Sequence, residues 1–149
     1  MKKFSRQGGW SEVNTDSFRS GLEVKIAKQL QDAGVEYRYE KDVISYIIPA
    51  SNHKYNPDFV LPNGIIVEGK GLFETSDRKK HLLIRSQYPH LDIRFVFSNP
   101  NQKLYKGSPT TYAKWCLKYG YKFAKAFIPV EWLTEKPKKD TKGLIPKKS

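Results

Sequence analysis

The stretch Tyr55-Asn56-Pro57-Asp58-Phe59-Val60-Leu61-Pro62-Asn63-Gly64-Ile65-Ile66-Val67-Glu68-Gly69-Lys70 reads as two apolar strands joined by a turn. Pro62 presets the first turn position, Asn63 tolerates the second, and Gly64 suits the left-handed position that closes a three-residue loop. Such a loop pairs residues placed symmetrically about Asn63, so Asp58 lies opposite Glu68. Both carboxylates then share one face, with Cβ atoms about 4.5–5.5 Å apart. A two-residue loop would send them to opposite faces. Lys70 falls on the same face as Glu68, about 6.6 Å further along the strand.

That face presents two acids and an ammonium. Carboxylates so close repel unless a proton or a cation sits between them, and hard oxygen ligands at that separation suit Mg²⁺, with Mn²⁺ as a substitute. For phosphodiester hydrolysis the set is sufficient in outline: the metal polarises a phosphoryl oxygen and activates water, while Lys70 orients that water or offsets transition-state charge. Gly69 exposes a backbone carbonyl that is a candidate further ligand. The spacing by itself also fits a surface hairpin carrying an acid pair beside a lysine. Phe59, Val60, Leu61, Ile65, Ile66 and Val67 weigh against that alternative, because they place the acids in or beside a core, where buried charge is rare without a purpose.

Upstream, Asp16 or Ser17 can cap a helix on which Phe18, Leu22, Ile26 and Leu30 form a stripe that ends at Gly34. At 100° per residue Leu22, Ile26 and Leu30 lie at about 40°, 80° and 120° from Phe18, and Glu23 at about 140°, on the border of the stripe. By itself that reads as a solvated helix-edge glutamate. Val35 to Ala50 is β-rich and reads as one long or two short strands ended by Pro49. Downstream, Ser76 or Asp77 caps a basic helix from Arg78 to about Gln87 with Leu82 and Leu83 inward, and Ile93–Phe97 reads as a buried strand. Tyr112, Trp115, Cys116 and Tyr119 then recur at helical spacing from about Thr110 to a stop at Gly120. Cys116 sits in that core stripe, which favours packing over a reactive thiol.

The chain has 149 residues and a formal charge of +12. The length suits one domain, and the charge favours a polyanionic partner. Residues 1–15 read as a flexible basic arm, 16–133 as the folded domain, and 134–149 as a basic disordered tail in which six lysines face Glu135 and Asp140. A single cysteine excludes an intrachain disulfide and fits a reducing compartment. No signal-like or membrane-length apolar run is present, so secretion and membrane spanning are not expected.

Pro57-Asp58 with Glu68-x-Lys70 resembles the PD-(D/E)xK nuclease signature of restriction-endonuclease-like folds. Four further stretches, Phe18–Glu23, Ile48–His53, Asp77–Arg85 and Leu104–Thr110, resemble the endonuclease I family of T-seven-like bacteriophages, which are Holliday-junction resolvases. The resemblance covers roughly residues 16–133. It implies an α/β fold with a mixed sheet flanked by helices, and an intertwined, domain-swapped homodimer in which the segment 41–50 crosses to the partner. It further implies Mg²⁺-dependent cutting of four-way and branched DNA that leaves 5′-phosphates, in the cytoplasm of the infected host. Carried over by position, Asp58 and Glu68 are metal-binding carboxylates, Lys70 the catalytic lysine, and Glu23 a carboxylate that completes the site of the other chain. Gly69 departs from the threonine expected there, with little effect on the chemistry.

DNA contacts are expected from Arg78, Lys79, Lys80, His81 and Arg85 on one helix, and from Lys103 and Lys106 beside a Gly-Ser-Pro turn. Phosphate contacts of this kind position DNA without reading its sequence. His53 and Lys54, before the first acid, are further expected DNA contacts; for His53, contacting a phosphate or supporting the metal site weighs equally against a structural hydrogen-bonding role. The rival functions are another PD-(D/E)xK nuclease of restriction or repair type and a non-catalytic junction-binding protein.

Overall fold

The computed structural model describes residues 20–48 and 51–146; the expected arm, Asp16, Ser17 and Phe18 lie outside them. Helix α1 (Gly21–Asp32) is capped by Ser20, whose Oγ accepts from the Glu23 N–H at 3.1 Å, so among the described residues the helix starts later than the sequence pattern places it. Its buried face is Ile26, Ala27, Leu30 and Gln31 together with Glu23. The β-rich stretch that follows is two strands rather than one, β1 (Arg38–Tyr39) and β2 (Asp42–Ile48), and they belong to different sheets.

Strands β3 (Ser51–Tyr55), β4 (Phe59–Val60) and β5 (Ile66–Lys70) lead to helix α2 (Thr75–Gln87), strand β6 (Ile93–Phe97) and helix α3 (Tyr112–Tyr119). Strand β7 (Phe123–Lys125), helix α4 (Val130–Thr134) and strand β8 (Leu144–Pro146) complete the order. Helix α2 begins at Thr75 because Glu74 and Asp77 form a reciprocal capping box, which displaces the expected start at Ser76 or Asp77. Helix α3 ends as expected at Gly120, at φ 74°.

The main sheet runs β1-β4-β5-β6-β7, antiparallel among its first three strands and parallel from β5 to β7. It is therefore a mixed sheet, with helices on both faces. On one face Phe59, Val67 and Val96 pack with Ile26, Ala27 and Leu30 of α1 and Trp132 of α4. On the other, Val60, Ile66, Phe95 and Phe97 pack with Ile84 of α2 and Trp115 and Cys116 of α3. The alternation follows from the two-residue period of a strand. Ile44, Tyr46 and Tyr55 of the second sheet, β3-β2-β8, join that second core. Leu82 and Leu83 pack at its margin, partly buried, while the side chains α2 buries are Arg78, His81 and Ile84.

The expected disordered tail is not what the described residues 134–146 show. The Glu135 carboxylate receives Arg94 of β6 at 2.6 and 3.1 Å, the Lys139 N–H donates to the Asn63 carbonyl at 2.6 Å, and β8 pairs with β2. Composition pointed to disorder because lysine and proline dominate, whereas the anchors are a guanidinium, a backbone carbonyl and a strand edge far away in sequence.

Candidate active site

The hairpin adopts the register that a three-residue loop requires. Phe59 pairs with Val67 and Val60 with Ile66, the Leu61 N–H donates to the Ile65 carbonyl at 2.9 Å, and Gly64 takes φ 85°. Asp58 and Glu68 continue the same pairing beyond the end of β4. There they bond to each other's strand: the Asp58 N–H donates to Glu68 Oε1 at 3.1 Å, and the Gly69 N–H donates to Asp58 Oδ2 at 3.0 Å. Gly69 faces α1, where an added Cβ would stand 3.3 Å from Ile26 Cδ1, so the missing side chain lets the helix close on the strand.

Helix α1 covers the face opposite to the acids, yet Glu23 arrives among them at the strand ends. Glu23, Asp58, Glu68 and Lys70 line one cavity of about 420 Å³, together with Lys54 and Lys80. Glu23 is 4 % exposed, Glu68 4 % and Asp58 8 %. Carboxylate oxygens of Glu23, Asp58 and Glu40 lie within 4.8 Å of one another. Within the one chain described, all of these residues meet. Sequence reading missed Glu40, whose position beyond β1 carries no motif.

It also missed two tyrosines that hold the acids. Tyr39 donates its hydroxyl to Glu23 Oε2 at 2.8 Å, and Tyr55 donates to Glu68 Oε1 at 2.7 Å. Glu68 Oε1 thus accepts from both Tyr55 and the Asp58 backbone, which orients the carboxylate. Lys70 Nζ lies 3.1 Å from Asp77 Oδ1 of the α2 capping box.

Burial pushes the Asp58 carboxyl well above its ordinary range, and the nearby charges of Glu68 and Glu23 push it further. Burial also raises Glu68, against the opposing pull of Lys70 and the Tyr55 hydroxyl. Burial pulls Lys70 down, but Glu68 and Asp77 outweigh it, so the ammonium is held above its usual value. Four acids, Glu23, Glu40, Asp58 and Glu68, crowd together here, and the lysine hydrogen-bonded in place beside them, Lys70, shares its charge with Asp77. Hard oxygen donors in that state fit a divalent cation. Asp58, Glu68 and Glu23 would hold it; the Gly69 carbonyl, at the same wall of the cavity, is the remaining expected ligand.

A family model described as "Phage endonuclease I" matches residues 2–149. The chain belongs to the phage endonuclease I family. It is 61% identical over 124 residues to "Endonuclease I" of Escherichia phage T7, a match covering 83% of this chain and 83% of the relative. It is 58% identical over 124 residues to "Endodeoxyribonuclease 1" of Enterobacteria phage T3, covering 83% and 81%.

The chain distributes its expected DNA-contacting residues unequally. Lys79, Lys103 and Lys106 are exposed, and so are His53, Lys54 and Arg85. Lys80 is half-buried at the cavity rim, 5.1 Å from the centre of the Tyr55 ring. Arg85 donates to the Tyr119 carbonyl and lies over the Tyr121 ring, tying α2 to the end of α3. His53 contacts Ser51 Oγ at 2.9 Å, on the solvent side of β3.

Arg78 and His81 point inward, contrary to expectation. Arg78 donates to the Phe73 carbonyl at 2.6 Å and to Thr75 Oγ1 at 3.0 Å, and so braces the loop before its own helix. His81 is fully buried between Tyr55 and Phe95, at ring distances of 5.0 and 4.8 Å. Burial holds its imidazole well below the ordinary value, hence neutral. A run of basic residues on a helix spans every side of it, and the apolar cores take whichever side faces them. Among the described residues no helix is long and apolar enough to cross a membrane.

Proposed function

We propose that the chain is a Mg²⁺-dependent endodeoxyribonuclease that resolves four-way junctions and other branched DNA, leaving 5′-phosphates, in the cytoplasm of the infected host. The observation that carries the reading is the convergence of buried Glu23, Asp58 and Glu68 with Lys70 in one cavity. Exposed Lys79 on α2 and exposed Lys103 and Lys106 supply sequence-independent phosphate contacts, which suit recognition of DNA shape.

When bound, the cation supplies Lewis acidity at the phosphoryl oxygen and lowers the pKa of a water. The chain's own groups do the rest. Tyr55 and the Asp58 N–H occupy one oxygen of Glu68 and leave the other to the cation. Lys70, kept protonated by Glu68 and Asp77, has further N–H donors to place on a phosphate oxygen or a water. The acids are nearly buried, and away from bulk water every charge interaction among them is strengthened.

Two copies act as a homodimer on this reading, intertwined through 41–50, with Glu23 of each chain completing the site of the other. The β2–β3 pairing runs up to Ile48 and Ser51, and parting the chain between those two strands would reproduce the same contacts between chains. A heterodimer of Glu23→Ala with Lys70→Ala tests sharing: one intact site and nicking of one strand are expected, and no cleavage at all refutes it. For the activity, a labelled immobile junction is incubated with and without Mg²⁺. Resolution only with Mg²⁺, and slower cutting of linear duplex, are expected. Cutting both DNAs equally points to a restriction or repair nuclease, and binding without cutting to a junction-binding protein; either overturns the proposal.

A further inference from the structure

The geometry points to a second DNA subsite beside the cleavage cavity: a nucleobase-stacking pocket between Leu72 and Tyr105. It takes an unstacked base of the strand adjoining the scissile phosphate. This rests on the reading that the chain cuts branched DNA.

Leu72 stands two residues beyond Lys70 and borders both the cleavage cavity and a neighbouring cavity of about 430 Å³. The neighbouring cavity is walled by Leu72, Phe73, Tyr105 and Tyr112, with Lys103 and Lys106 also lining it. Its volume is in the range that holds small ligands. Leu72 is 61 % exposed and Tyr105 63 %, although the loops that carry them are fixed. The Phe73 N–H donates to the Tyr112 hydroxyl at 3.2 Å, and Arg78 holds the Phe73 carbonyl. On the other side the Ser108 N–H closes a turn onto the Tyr105 carbonyl at 3.0 Å, with Gly107 at φ 85° in the position that demands glycine. The Leu104 N–H bonds to the Thr110 carbonyl at 3.0 Å. Apolar side chains kept in water by rigid loops are pre-organised for a partner.

The chemistry of the walls selects that partner. A nucleotide pairs a flat apolar ring with an anionic phosphate, and here an aromatic ring and a leucine lie beside two lysines. The one acid at the wall, Glu74, has its carboxylate engaged by the backbone of the α2 capping box. Continuity through Leu72 places the pocket within one or two nucleotides of the acids. At a branch point a strand leaves its helix and its bases lose a stacking neighbour, so a base enters the pocket at little cost. In continuous duplex the same base must first be unstacked. The pocket therefore favours branched DNA.

The experiment uses the full chain in EDTA, so that nothing is cut, with a four-way junction and a linear duplex of the same sequence. Tyr105→Ala is expected to weaken junction binding about fivefold to a hundredfold and to leave duplex binding unchanged. Tyr105→Trp retains junction binding, and Lys103→Ala weakens both DNAs alike. In the wild type, 5-iodouracil placed one or two nucleotides from the cut phosphate photocrosslinks to Tyr105. Thermal unfolding of Tyr105→Ala checks that the exposed substitution leaves the fold intact. A junction preference that survives Tyr105→Ala, or an equal loss on both DNAs, overturns the subsite and leaves the nuclease reading standing. Wild-type protein that binds junction no better than duplex defeats the branched-DNA reading itself, and the subsite with it.

Discussion

Asp58→Asn is expected to stabilise the metal-free protein while abolishing cleavage. Asp58 is 8 % exposed, and its oxygen lies within 4.8 Å of oxygens of Glu23 and Glu40. Two ionised carboxylates at that separation repel by about 3.5 kcal/mol at an effective dielectric constant of about 20. Proton uptake relieves part of this, which is why the Asp58 carboxyl is pushed up, and a net gain of about 1–3 kcal/mol remains for the asparagine. For a chain of this size that is a rise of about 3–10 °C in Tm. Asparagine keeps an oxygen for the Gly69 N–H, which now bonds Asp58 Oδ2 at 3.0 Å, so the hairpin loses no partner.

The pH dependence has a definite sign. A carboxyl raised in the folded state binds its proton more tightly there than in the unfolded chain, so wild-type stability falls as pH rises from about 4 through the raised value. The advantage of Asp58→Asn is therefore absent near pH 4 and grows as pH rises through the raised value. Mg²⁺ reverses the order, because it stabilises wild type by about 2.7 kcal/mol at a hundred times its Kd and the variant by less. Scanning calorimetry of both proteins in EDTA and in Mg²⁺ reads all three effects. An unchanged or lower Tm for Asp58→Asn in EDTA at pH 8 would falsify the repulsion argument, and an equal gain at pH 4 would assign the effect to packing.

Lys70→Ala is expected to abolish cleavage and leave junction binding in EDTA intact, since the exposed lysines lie elsewhere; equal loss of both makes Lys70 structural. Tyr55→Phe removes only the hydroxyl on Glu68, and should weaken Mn²⁺ binding in calorimetric titration of the DNA-free protein by about 10–100-fold with little change in Tm. Gly64→Ala meets φ 85° and a Cβ 2.6 Å from the Lys139 carbonyl oxygen, so urea midpoints should fall by the equivalent of about 1–3 kcal/mol. Hydrogen bonds from Arg94 and Lys139 lower Glu135 to about 2, so its stabilisation is present above its ordinary value of 4.5 and is lost as pH falls through about 2. Glu135→Gln should flatten that part of the acid-unfolding curve, and an unchanged curve would return residues 134–146 to the status of a free tail.

The catalytic hairpin was legible because its cause is local. Strand parity and the length of a loop set which residues face each other, and Pro62-Asn63-Gly64 states that length. The end of α3 at Gly120 and the burial of Cys116 are local in the same sense, depending on neighbours three or four positions away. Glu40 and the hydroxyls of Tyr39 and Tyr55 were not legible, because each meets its acid across a separation that no periodicity encodes. The inward turn of Arg78 and His81 was hidden for a related reason. A basic helix announces its solubility, but only the aromatic core beneath it decides which two of its cations, or neutral rings, are taken inside.

Sequence by itself determined the register of Asp58 and Glu68, the position of Lys70, and the family, since these rest on short-range geometry and on matched stretches of residues. Tertiary structure alone decided that Glu40 lies beside Asp58 and that Tyr55 bonds Glu68, that β1 and β2 part into different sheets, and that residues 134–146 fold back onto Arg94 and β2. Each of these requires two distant segments to bury a shared surface. The free energy of that burial belongs to the pair of segments, and neither sequence carries it separately.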